Sequence, residues 1–495
     1  PFPLFSFLIY IIWAFLHPMV TYVVYGLLNA IYTFSVFGIA DSLINVYSKK
    51  SRLLLFSTMF FFVHANELWS SFLGLLSGLE LAWVWDSGIT EQGVLRGYLQ
   101  PSVFGVFLIL SLYFFLKKSV EGTFLALAVA AIFHANYVLI GGLMGAFYFS
   151  YFYKTAERKQ LFIWVAVSTI AVLPYLIYIV LQFIPEVSEG TKVLDNAVLT
   201  TMPNNPHLDL KNWYTPKTFL QIIVLVAALI SFRKTLFGKA LLAFSVVGVV
   251  LSIAAFAVDS TVLMSLNPWR ISVAIIPLAS VMLLWKLLTS KHGEKIFLSM
   301  LLFSGIGVLS LIVFRLFGNA AFLSGWKTAT TIALLVGLFA TPFIIRIKGY
   351  EKAKTALHLL LIITLFISGT FGVTMDLKFR NATNEHPMMS FMQRQKDSAN
   401  LCIIPTEMSD FRLATNCAVV ADKNLVYGKG LAKQLERIAA AENFYAINWT
   451  NETAILDFLD TYHANRLIVP ASKKLPPLHQ ITNLYNDKHF VILGK

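Results

Sequence analysis

The chain has 495 residues, 57% of them hydrophobic and only 13% charged, with a mean hydropathy of +0.70. Those values exclude an ordinary water-soluble domain and a disordered chain, and they put the sequence in the multi-pass membrane class. The net charge of +13 lies largely in short loops between apolar segments, so membrane topology accounts for it and no nucleic-acid partner is expected.

Pro1 is not an initiator and is already followed by an apolar run, so the chain reads as lacking its start. Residues 4–16 and 19–46 are apolar and broken by His17-Pro18, and Lys49, Lys50 and Arg52 close the first basic loop. The run from Leu53 to Trp85 carries His64, Asn66 and Glu67. At about 1.5 Å per residue Glu67 falls about 22 Å from Arg52, in the far half of a bilayer. Residues 73–85, with Trp83 and Trp85, suit the outer interface.

A polar loop from Trp85 to Gln100 leads into a span over 101–116, closed by Lys117-Lys118. Residues 120–153 then read as a hairpin of two short spans with His134-Ala-Asn136 at its tip, because Lys117-Lys118 and Lys154, Arg158 and Lys159 belong on one side. Further spans are expected over 161–183, 218–232, 240–258, 270–286, 296–316, 328–345 and 356–374. The whole is an α-helical polytopic domain, residues 1–374, with about 12–13 spans. Basic loops alternate with loops poorer in Lys and Arg, which puts residues 375–495 on the outer, periplasmic face of an inner (plasma) membrane.

The tail changes character. Leu401–Ile404, Cys417–Val420, Arg466–Val469 and Phe490–Leu493 read as short buried strands; Lys429–Glu442 and Thr450–His463, with Thr450 as N-cap, read as helices. Strands alternating with helices predict a small soluble α/β domain with a largely parallel sheet. Cys402 and Cys417 are either one disulfide in an oxidising compartment or two buried thiols.

Several segments carry a family resemblance. They are Tyr98-Leu-Gln-Pro-Ser-Val-Phe-Gly105, His134-Ala-Asn-Tyr137, Asn267-Pro-Trp-Arg270 and, in the tail, His463-Ala-Asn-Arg466 and Leu484-Tyr-Asn-Asp487. In layout the chain resembles the GT-C superfamily of integral-membrane glycosyltransferases, and within it bacterial multi-pass proteins with a small C-terminal α/β domain. The resemblance implies an inverting transfer of a sugar from a polyprenyl-phosphate lipid donor to a lipid-linked or surface glycan acceptor at the outer face. Family members place an essential acid in the first outer loop, a position this sequence does not match.

Such a transfer needs a carboxylate to take the acceptor proton and cations to meet the departing phosphate. Glu67, Asp86 and Glu91 are the candidate catalytic acids. Arg270, at the outer end of a span beside Trp269, is the principal phosphate ligand and Arg96 a second; His134, Asn136, Tyr137 and His64 are further substrate-binding candidates. Each has a structural alternative: a hydrogen-bonded pair between helices for Glu67 and His64, headgroup anchoring for Arg270, and capping of a tight hairpin for His134 and Asn136. No His/Cys cluster has zinc spacing; a divalent cation on the loop acids stays open, so no cofactor is assigned. Two other function classes stay in view: a non-catalytic GT-C-derived scaffold that binds a protein partner among the membrane lipids, and a transporter, for which no two-half repeat is visible.

Overall fold

The computed structural model describes residues 3–16, 20–48, 50–64, 84–89, 92–95, 99–183, 213–258, 267–290, 387–395, 401–408, 417–421 and 431–495, with a few single positions between them. Two compact units are present: Pro1–Leu181 with Asp195–Ser368, and Gln182–Leu194 with Gly369–Lys495. The spans expected over 296–316, 328–345 and 356–374 lie outside the described residues.

The first unit is helical. In chain order it contains α1 (Pro3–Phe15), α2 (Val20–Ile44), α3 (Lys50–Val63), α4 (Val106–Leu116), α5 (Val120–Phe133), α6 (Asn136–Thr155), α7 (Arg158–Phe183), α8 (Pro216–Phe232), α9 (Leu236–Ala257) and α10 (Ser272–Leu288). Hydroxyl side chains start three of them. Ser119, Thr215 and Thr235 accept hydrogen bonds from the backbone N–H of Gly122, Thr218 and Gly238 respectively, satisfying donors that have no partner inside the helix. Pro216 follows Thr215 at the first helical position, where a missing N–H costs nothing.

Helix α10 is the axis of this unit. Every side chain from Ser272 to Met282 is buried, as a helix apolar on all sides requires. Trp285, 1% exposed, meets Phe56 edge-on with centroids 5.2 Å apart, and Phe56 meets Phe37 in the same way at 4.7 Å. Such pairs contribute about 0.5–1.5 kcal/mol each beyond their burial. Helix α7 does the opposite, exposing Phe162, Ile163, Val167, Ile170, Leu173 and Ile177, and α9 exposes Leu242, Val246, Val249 and Ile253. Continuous apolar faces of that extent suit hydrocarbon, not water. Val20–Ile44, Arg158–Tyr178, Leu236–Ala257 and Pro268–Leu288 are long and apolar enough to cross a membrane. The protein is an α-helical membrane protein with a small C-terminal sheet.

The second unit contains α11 (Pro387–Arg394), β1 (Leu401–Ile403), β2 (Ala418–Val419), α12 (Leu431–Ala446), α13 (Glu452–Thr461), β3 (Arg466–Pro470), β4 (Thr482–Asn486) and β5 (Phe490–Gly494). Its sheet has the order β2-β1-β3-β5-β4. The expectation of a largely parallel sheet is corrected here: β1 runs parallel to β2 and β3, but β5 is antiparallel to both β3 and β4. The cause is local. Between β3 and β5 the chain forms another strand in place of a crossover helix, and Asp487 Oδ1 accepts from the N–H groups of His489 and Phe490, closing a tight β4–β5 turn. The cap of α13 is Asn451 and not Thr450; its Oδ1 accepts from Ala454 N–H at 3.0 Å.

Cys402 and Cys417 are bonded, tying β1 to the residue before β2 inside the core of this unit. Glu452 Oε1 accepts backbone N–H bonds from His479 (2.9 Å), Gln480 (2.7 Å) and Ile481 (2.6 Å), pinning the segment before β4 to the start of α13. Desolvation pushes this carboxyl up, and the three N–H bonds outweigh it, so its pKa lies below the ordinary 4.5.

Two expectations follow from this unit. Alkylation of the denatured, unreduced protein leaves both cysteines unmodified, and reduction exposes two thiols; a count of two before reduction contradicts the bridge. A carboxyl with a depressed folded pKa adds stability above its unfolded value and loses it as pH falls through the folded value. The melting temperature in detergent therefore drops as pH falls below about 4.5, and Glu452→Gln, which no longer titrates, flattens that part of the profile.

Candidate functional site

The hairpin tip is built by α5, α6 and the turn between them. Helix α5 ends at Phe133; His134 is extended, and Tyr137 N–H donates to His134 O at 2.9 Å as α6 begins. Tyr137, 1% exposed, sends its hydroxyl to Ser102 O at 2.7 Å, which fixes the tip against the 3-10 turn Pro101–Gly105. Gly105 makes this approach possible, because a Cβ there would run into Tyr137 Oη and lie 2.8 Å from Cζ. Phe104 stacks on Phe133, centroids 3.8 Å apart, beside the same contact.

Opposite the tip, Asn267 adopts φ 48°, the left-handed conformation that asparagine tolerates. Pro268 then opens a 3-10 turn, Pro268–Ile271, which runs into α10 and presents Arg270 half-buried at its start. Arg270 Nη1 lies 2.6 Å from His134 Nε2. With the Asn136 amide turned so that its oxygen faces the donors, Oδ1 accepts from Asn267 Nδ2 at 2.9 Å and from Arg270 Nε and Nη1 at 3.2 and 3.3 Å. The structure thus brings together Arg270, His134 and Asn136, three of the residues singled out from sequence, and adds Asn267 to them.

The protonation of this cluster follows from its donors. A guanidinium only donates, so His134 Nε2 is the acceptor and the neutral ring keeps its proton on Nδ1. The Asn136 main-chain N–H, 3.2 Å from Nδ1, then points at a donor, because a neutral ring accepts at one nitrogen only. The two groups that Arg270 meets on the hairpin, an imidazole and an amide, are neutral and orient the guanidinium.

The loop that contains Asp86 adjoins the same place. Ser87 and Gly93 form an antiparallel bridge, and Ile89 N–H donates to Ser272 Oγ at 2.9 Å, two residues beyond Arg270. Gly88 packs so closely there that a Cβ would lie 2.6 Å from Val273 N. From α8, buried Gln221 donates through Nε2 to Val84 O (3.1 Å) and Ser87 O (3.0 Å), anchoring the loop from below. Asp86 belongs to this loop, and Tyr32 to α2. Tyr32 in turn bonds His64: Nδ1 of His64 contacts Phe60 O at 2.7 Å and therefore donates, leaving Nε2 to accept from Tyr32 Oη at 2.9 Å. His64 is thus in a hydrogen bond that ties the end of α3 to α2. Glu67, Glu91 and Arg96 lie outside the described residues. Among the described residues no group of three or more His, Cys, Asp or Glu is placed to hold a metal ion.

Gln221, Asn267 and Tyr32 were not singled out as site residues from sequence. Gln221 had a usable signal, an amide inside an apolar run. Tyr32 had none, since a tyrosine in a membrane helix is unexceptional.

The Gly105–Tyr137 contact yields a double-mutant test. Tyr137→Phe loses one buried hydrogen bond, about 1 kcal/mol, and Gly105→Ala costs more because the new methyl meets the phenol. In the double variant the phenol oxygen is gone, so the melting temperature falls by less than the sum of the two single losses. Strict additivity contradicts the contact.

No known family's sequence profile matches the chain, and no curated protein sequence matches it. Among solved structures it is similar to ArnT from Cupriavidus metallidurans, in the form bound to undecaprenyl phosphate, at 11% identity and a TM-score of 0.43, over 95% of this chain and 82% of that one. It is similar also to the apo form of the same protein, at 10% identity and a TM-score of 0.44, with the same coverage.

Proposed function

We infer that this protein transfers a sugar from a polyprenyl-phosphate donor to a lipid-linked or surface glycan at the outer face of the membrane. The carrying observation is the half-buried Arg270 held by His134 and Asn136, a donor-rich cationic cluster at the end of a membrane helix. That position suits a phosphate attached to a lipid: the polyprenyl chain stays in hydrocarbon while its headgroup meets the guanidinium.

In the reaction an acceptor hydroxyl attacks the anomeric carbon, the bond from that carbon to the phosphate oxygen breaks, and polyprenyl phosphate leaves with the electron pair. Arg270 meets the charge that grows on the departing phosphate, and Asn267 and Asn136 add neutral donors. Arg96, Tyr137 and His64 keep supporting roles in substrate binding. A carboxylate takes the acceptor proton. Asp86, in the loop that adjoins α10, is the acid whose surroundings are described; Glu67 and Glu91 are the alternatives.

Two observations support the outer-face location. The alternation of basic and non-basic loops puts the tail outside. The Cys402–Cys417 bond fits an oxidising compartment such as a periplasm.

The test is binding of undecaprenyl phosphate to the detergent-solubilised protein, titrated by native mass spectrometry. Arg270→Ala weakens binding about 10- to 150-fold, the loss of a charge-assisted contact of about 1.5–3 kcal/mol, and Arg270→Lys by less, since the ammonium keeps charge but not the fork. Undiminished binding by Arg270→Ala sinks the reading.

A further inference from the structure

Two side chains, one preceding Arg270 in the chain and one in the loop that packs on the start of α10, are buried with polar atoms unsatisfied. Gln92 is 7% exposed, and among the described residues neither its Nε2 nor its Oε1 has a hydrogen-bond partner. Trp269, 2% exposed, has no partner for its indole N–H. Buried polar groups are nearly always paired, and an orphan asks for a reason. Neither residue is adrift: Gln92 O accepts from Gly88 N–H at 2.6 Å, next to the Ser87–Gly93 bridge, and Gly88 itself abuts Ser272 and Val273. Trp269 immediately precedes Arg270, with its ring against Trp213 and Phe256 at 4.8 and 5.7 Å. The loop and the start of α10 therefore place an unused amide and an unused indole donor in the neighbourhood of the phosphate-type cluster.

We propose that Gln92, assisted by Trp269, recognises the hydroxyl groups of the sugar carried by the lipid donor. This rests on the glycosyl-transfer reading and names a part of the donor that Arg270 does not explain. The chemistry separates the sugar from the rest of that molecule. Phosphate oxygens only accept, and so leave Oε1 of Gln92 unsatisfied; a polyprenyl chain neither donates nor accepts. Adjacent hydroxyls of a pyranose do both, matching the one acceptor and two donors of a primary amide, and the indole N–H adds a further donor to a hydroxyl oxygen. An apolar residue of similar length would suit this buried position better than glutamine does, which is the signature of a position kept for binding at the expense of stability.

The test compares wild type, Gln92→Leu and Gln92→Met in detergent. Native mass spectrometry measures the affinity for undecaprenyl phosphate and for undecaprenyl phosphate carrying glucose, galactose or mannose, and a thermal scan measures each ligand-free melting temperature. The expected wild type prefers one sugar-bearing lipid at least tenfold over the bare phosphate. Both variants lose that preference, bind the bare lipid within about twofold of wild type, and melt no lower than wild type. A preference retained in the variants, a parallel loss of both lipids, or a wild type indifferent to every sugar overturns the proposal. So does a lower melting temperature, which would mark the amide as a structural group bonded to trapped water. Failure of the underlying reading looks different: undecaprenyl phosphate then fails to bind wild type, or binds Arg270→Ala equally well.

Discussion

The short contact between Arg270 and His134 is the constraint on which the candidate site depends. One partner belongs to the start of the buried helix α10, the other to the tip of the α5–α6 hairpin, 136 residues earlier. A guanidinium cannot accept, so the imidazole is forced into one tautomer and the donor balance of the whole cluster follows. Asn136 reinforces the orientation, and Tyr137 anchors the tip behind it to Ser102. Two of the groups that position the cation are thus neutral and sit on a packed scaffold.

The loop that contains Asp86 is held to the same helix by different means. Its anchors are single hydrogen bonds, from Ile89 to Ser272 and from Gln221 to the main chain of Val84 and Ser87, with Gly88 permitting the close approach. Inside so firmly fixed a loop, the unsatisfied amide of Gln92 does not read as slack. The elements around it are locally consistent, with capped helices, a left-handed asparagine where the turn needs one and aromatic pairs in the core. An inconsistency of this kind, where a buried amide goes unpaired in a well-anchored loop, is where binding chemistry is expected.

Much of this was legible in the sequence because a bilayer makes strong demands. Apolar runs and basic loops foreshadow α2, α7, α9 and α10, and His134, Asn136 and Arg270 stood out as polar groups at the ends of apolar segments. The tail was less transparent. β4, Thr482-Asn-Leu-Tyr-Asn486, has no clean alternation of apolar and polar residues and is largely exposed, so its strand identity comes from pairing with β5. Thr450 and Asn451 are both acceptable caps, and only the backbone entry to α13 chooses between them. Gln92 and Gln221 illustrate the hardest case: Gln221 anchors a loop through Nε2 while its Oε1 goes unpaired, and Gln92 pairs neither atom, a distinction that exists only in three dimensions.

The contrast between α10, enclosed by protein, and α7 and α9, which turn apolar faces outward, bears on how the protein senses its surroundings. A bilayer that thickens or thins does its work on the helices it touches, which tilt or bend in response. Arg270 starts a helix that has little direct contact with lipid, so the cluster is mechanically insulated. The same molecule is suited to work unchanged in membranes of differing thickness, its periphery deforming while the Arg270 cluster keeps its shape.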